Sequence, residues 1–98
     1  MELEKSYDLS ILVNDSKRLV LEELGRRIEA SAEEGICDCQ DCVVDMATLA
    51  LNSLKPRYHA SLLGTFYAQA AAEGDYAEEV HKAVDEAIRK VKANPSHA

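Results

Sequence analysis

The chain has no tryptophan, one phenylalanine and four tyrosines in 98 residues, so its core must be mostly aliphatic. No apolar run approaches the roughly 18 residues of a membrane-spanning helix. The start, Met1-Glu2-Leu3-Glu4-Lys5, has neither the basic opening nor the long apolar stretch of a secretory signal, so a cytoplasmic protein is expected. Valine and isoleucine nowhere alternate with polar residues over a sustained run, which removes support for strands. Four scattered glycines leave no room for a phosphate-cradling loop, and G-x-S-x-G and H-E-x-x-H are both missing, so no enzyme is expected. Basic residues are few: 11 Lys and Arg against 18 Asp and Glu give a net charge of −7. That balance argues against general nucleic-acid binding, which needs a basic surface, but permits one small anion on a local basic patch. There is no internal repeat and no low-complexity segment.

An apolar fraction of 47% with 30% charged residues describes one ordinary globular domain, residues 1–98, with loose ends at 1–6 and 95–98. A domain this small buries only roughly 60–65% of its unfolded surface and often needs a metal or a partner subunit as a staple. The three cysteines are all in one place, as C-x-C-x-x-C at Cys37, Cys39 and Cys42. In a reducing compartment such clustering reads as metal ligation, with Zn²⁺ the best match, ahead of an iron–sulfur centre or bare thiols. A Cys37–Cys39 disulfide would close a strained two-residue ring. The fourth ligand is open: His59, just beyond the helix that starts at Cys42, is the first choice, with Asp38, Asp41, Asp45, His81, a water or a second chain as others. Three thiolates make an electron-rich, weakly acidic metal, and the H-x-E and P-C-x-x-C signature of zinc deaminases is missing. A structural zinc is therefore expected.

The pattern is that of about four helices. The first should run from about Ser16 to Ala32, capped by Asn14, Asp15 or Ser16, with Val20, Leu21, Leu24 and Ile28 facing inward. Gly25 weakens it and would suit a close helix contact. The second should run from about Cys42 to Leu54, ended by Pro56, with Asp41 as its cap. It is apolar on nearly all sides, as a central buried helix would be. Its polar residues Asp41, Asp45, Thr48 and Asn52 form one narrow stripe, read as a solvent edge or, alternatively, as the lining of a ligand site. A third helix should cover about Ala60 to Glu73, stopped by Gly74, and the last about Tyr76 to Ala93. Tyr76, Val80, Ala83, Val84, Ala87, Ile88 and Val91 give the last a clean amphipathic stripe.

The loop Lys55-Pro56-Arg57-Tyr58-His59 is a second candidate site. Arg57 offers a planar fork for phosphate or for a guanine edge, and Tyr58 can stack on a base, with Lys55 and Asn52 beside them. The plain alternative is a solvated connector whose Tyr58 packs inward. Arg26 and Arg27 would add positive field.

The run Cys37-Asp38-Cys39-Gln40-Asp41-Cys42, then Asp45, then Leu49-Ala50-Leu51-Asn52-Ser53-Leu54-Lys55-Pro56-Arg57-Tyr58, resembles the late-competence protein ComFB family of bacteria, as does Val13-Asn14 through Val20 and Glu23. The resemblance covers about half the chain. It implies a small all-α homodimer that binds zinc through the cysteine cluster. Some relatives supply a further cysteine downstream, which this chain does not. Related proteins look like receptors for cyclic di-GMP or cyclic di-AMP, so the resemblance implies a signalling receptor in competence or a related process, acting through a downstream protein. The rival expectation is a zinc-stabilised adaptor that binds protein alone.

Overall fold

The computed structural model describes residues 1–30, 35–60 and 75–95. Among these lie four helices, α1 (Leu3–Ser6), α2 (Asp15–Glu29), α3 (Gln40–Asn52) and α4 (Asp75–Ala93), and two short strands, β1 (Val13–Asn14) and β2 (Tyr58–His59). The helix expected over Ala60 to Glu73 lies outside the described residues. Residues 1–6, expected to be loose, hold the single exposed turn α1.

α2 starts where the side chains dictate. The Asn14 side-chain oxygen accepts the Ser16 N–H at 3.1 Å, satisfying one of the helix's unpaired amides. The same oxygen accepts the Arg57 N–H at 2.9 Å, and the Asp15 N–H donates to the Arg57 carbonyl at 2.7 Å. One asparagine thus caps a helix and clamps a distant loop to it. The clamp continues as an antiparallel pair, Val13 opposite His59 and Asn14 opposite Tyr58. No strand was expected here, because two residues are too few to show a period of two.

α3 begins two residues before its expected start. Cys39, not Asp41, is the N-cap, its sulfur accepting the Cys42 N–H. The helix stops at Asn52, where the Ser53 hydroxyl and amide turn back onto the Ala50 carbonyl.

α2, α3 and α4 pack on one another around a core of Val20 and Leu24, then Cys42, Met46 and Ala50, then the whole expected stripe of α4 from Tyr76 to Val91. The apolar rows sit at spacings of three and four, so each helix presents one continuous face. Two expectations need correction. Leu21 is 45% exposed, and Leu19 takes its place against the core. α3 is not buried all round: Val44 and Leu49 face outward at 51% and 38% exposure, and it is α4 that sinks the longest row. The polar stripe Asp41, Asp45, Thr48 and Asn52 is exposed, in keeping with a solvent edge. Gly25 makes no close contact, since an added Cβ would meet nothing within 4 Å.

Candidate metal centre and basic groove

Gly35 sets up the cysteine cluster. Its φ of +66° is the one positive value among the described residues, a conformation that glycine adopts without steric cost. The turn it makes leads through buried Ile36 into Cys37, then into Cys39 at the cap and Cys42 one turn inside α3. The three sulfurs lie within 4.8 Å of one another, and no disulfide joins any two of them. Thiolates at about 2.3 Å from a tetrahedral zinc would stand about 3.8 Å apart, so the cluster needs little adjustment to hold a soft metal ion. Cys42 is fully buried and the other two half-buried, so the position is sheltered without being sealed.

The charge balance points the same way. The Cys39 N–H favours a Cys37 thiolate. The neighbouring sulfurs of Cys39 and Cys42, partial burial and the Cys39 charge outweigh it, pushing the Cys37 thiol up to about 11. Sulfurs this close cannot readily all ionise alone, and a cation among them removes that repulsion.

His59, expected as the fourth ligand, is not brought to the sulfurs. It sits in β2 beyond the far end of α3, with its Nε2 3.8 Å from the Asp15 carboxylate. The 13 residues of α3 span about 20 Å, and the Asn14 clamp holds the loop at the helix's C-terminal end rather than letting it fold back. Asp38, Asp41 and Asp45 are exposed and are not part of the cluster. His81 stands on α4, its Nδ1 2.9 Å from buried Glu23.

The second candidate site is divided. Lys55 and Arg57 line a groove of about 680 Å³ with Ser53, Leu54, Tyr76 and Lys82, and with the carboxylates Glu79 and Glu86. The Arg57 guanidinium lies over the Tyr76 ring, 3.6 Å from its centre, a cation–π stack that holds the fork flat. Tyr76 is itself anchored. The Ser16 hydroxyl donates to the Lys55 carbonyl at 2.9 Å and, having one proton, must accept its second hydrogen bond from the Tyr76 hydroxyl. The hydrogen bond from Arg89 holds the Glu86 carboxyl below its ordinary range, so it remains charged at the groove's edge. Tyr58 does not pack inward; it is 62% exposed and borders a different hollow with Asn14, Lys17 and Arg18. Asn52 is exposed at the end of α3 and does not line the groove. Arg26 and Arg27 contribute little unpaired field, being matched to Glu23 and Asp85. Sequence reasoning placed Tyr76 in the core stripe and overlooked it as the platform for Arg57. It overlooked Lys82 as well, because neither is near the loop in the chain.

The late competence development protein ComFB family matches residues 13–95. The chain belongs to the ComFB family. The solved structure of the late competence protein ComFB from Bacillus subtilis is similar to it with a TM-score of 0.68 and 26% identity, covering 87% of this chain and 92% of that one. No curated protein matches the chain in sequence. The matched ComFB span contains both the three-sulfur cluster and the loop that lines the groove.

Proposed function

We propose that this ComFB protein is a non-enzymatic regulatory module in which Zn²⁺ on Cys37, Cys39 and Cys42 fastens the start of α3 to the turn before it and the groove under Arg57 takes a cyclic dinucleotide. The observation that carries this reading is the Arg57–Tyr76 stack with Lys55 and Lys82 on the same groove. A flat, anchored guanidinium beside two ammonium groups suits a phosphate or a guanine edge, and the groove is of the size that small-molecule sites use. Zinc would supply no chemistry beyond cross-linking the cap of α3 to the preceding turn. The working form is a homodimer. Val44 and Leu49 leave apolar surface on α3 that a second copy would cover, and a two-fold dimer presents each cation twice to a two-fold symmetric dianion.

Titration calorimetry with cyclic di-GMP and cyclic di-AMP tests the reading, alongside light scattering for the dimer. Heat should appear at about ten micromolar protein. Lys82→Glu and Arg57→Ala should each weaken binding by about tenfold, the equivalent of about 1.4 kcal/mol. Arg57→Ala also unstacks Tyr76, so the exposed Lys82 is the cleaner variant. Absence of heat with both nucleotides would favour a protein-binding adaptor. One observation supports that second reading: Ile11, Leu12, Val13, Leu21 and Tyr58 are all large and exposed near β1.

A further inference from the structure

Cys39 and Cys42 bracket the first turn of α3 as C-x-x-C, and their surroundings differ in a way that a metal ligand set does not require. Cys39 is the N-cap, half-buried, and its sulfur accepts the Cys42 N–H at 3.4 Å. Cys42 is fully buried one turn in. The outer sulfur is accessible to a small reagent, whereas the inner one is shielded from solvent and within 4.8 Å of it. Cys37 precedes the helix, and its ring with Cys39 would be the strained two-residue one.

We propose that Cys39 and Cys42 form an oxidation-sensitive dithiol, converted by hydrogen peroxide to an intrachain disulfide that expels the bound metal. The Cys39 thiolate attacks a peroxide oxygen and the O–O bond breaks. Cys39 becomes a sulfenic acid, and the departing hydroxide takes a proton to give water. The Cys42 thiolate then attacks the Cys39 sulfur. An S–S bond forms, the S–O bond breaks, and the second oxygen leaves as hydroxide, protonated to a second water. Two thiolates supply two electrons, and one peroxide is reduced to two waters. The disulfide sulfurs are no longer anionic donors, so Cys37 alone remains and the metal leaves. A reducing dithiol reverses the change. None of this rests on nucleotide binding.

The sequence itself provides the assay. Asp38 and Asp41 place a cleavage point for an Asp-specific endoprotease between each pair of cysteines, so the three sulfurs fall on three peptides. Zinc-loaded and metal-free full-length chains are treated with stoichiometric hydrogen peroxide, alkylated and digested, while a chromophoric chelator follows released zinc. The expected result is one linked pair, Asp38–Gln40 with Asp41–Val44, an alkylated Cys37, and release of about one zinc per chain. Cys37→Ser should give the same linked pair. Cys42→Ser should instead leave a Cys39 sulfenic acid that a dimedone probe traps. A disulfide that includes Cys37, full retention of zinc by the oxidised chain, or linkage only between chains would overturn the proposal. The map of the unsubstituted protein decides the matter even if a variant does not fold.

Discussion

Ser16 ties three segments together through one hydroxyl. It is 1% exposed, donates to the Lys55 carbonyl and receives the Tyr76 hydroxyl. A buried polar group that loses its partner costs about 1–3 kcal/mol, because the orphan keeps its desolvation penalty. Ser16→Ala orphans the buried Tyr76 hydroxyl and takes a partner from the part-buried Lys55 carbonyl, so a loss of about 1–3 kcal/mol is expected in chemical denaturation. The same change should loosen the platform under Arg57 and blunt any ligand response of the groove. Asn14 is the companion device. Its one side-chain oxygen satisfies the Ser16 and Arg57 amides, which makes the loop's position a consequence of a helix cap.

α2 carries a replaceable weakness. Gly25 sits in the interior of a 15-residue helix with nothing within 4 Å of a would-be Cβ. Glycine costs about 1 kcal/mol relative to alanine at such a position, and there is no contact to offset it. Gly25→Ala should therefore raise stability by about 0.5–1 kcal/mol, measured as an upward shift in Tm. No shift, or a fall, would show that a partner surface approaches α2 there. α4 behaves differently: every residue of its apolar row is buried, so its register is set by the sequence period. α3 lies between these cases, with Cys42, Met46 and Ala50 sunk and Val44 and Leu49 facing outward.

The assembled protein depends on the charge state of its sulfurs. Cys37, raised to about 11 in the metal-free chain, is a thiol at neutral pH and must release its proton to become a ligand. Since its folded pKa lies above the ordinary value of 9.0, the metal-free fold gains from the protonated thiol below about 9 and loses that gain as pH rises toward about 11. Metal binding runs the other way. It displaces protons, so affinity should increase with pH and fall steeply on acidification from pH 8 to 6. Competition with a chelator at several pH values measures this, and calorimetry in buffers of different ionisation enthalpy counts the protons. Chelation at pH 7, or Cys39→Ser, should lower Tm by more than about 10 °C, since about 1 kcal/mol moves Tm by about 4–8 °C in a domain of this size. An unchanged Tm after verified metal removal would exclude the staple.

The cysteine cluster, the seven-residue buried row of α4 and the caps around Asn14 were legible in the amino-acid order, because each is a matter of local spacing along the chain. So was ComFB membership, which lives in contiguous motifs. Three things came only with the packed chain. His59 lies across about 20 Å of helix from the sulfurs, since the Asn14 clamp pins its loop at the other end. Lys55 and Arg57 share a groove with Tyr76 and Lys82, whereas the adjacent Tyr58 borders a different hollow. The exposed flank of α3 appears only when α2 and α4 have taken their places. The reason is common to all three. Hydrophobic period and capping chemistry act within a few residues, but which side chains meet is set by how the helices cross, and contacts such as Ser16 with Tyr76 span sixty positions with no local signal.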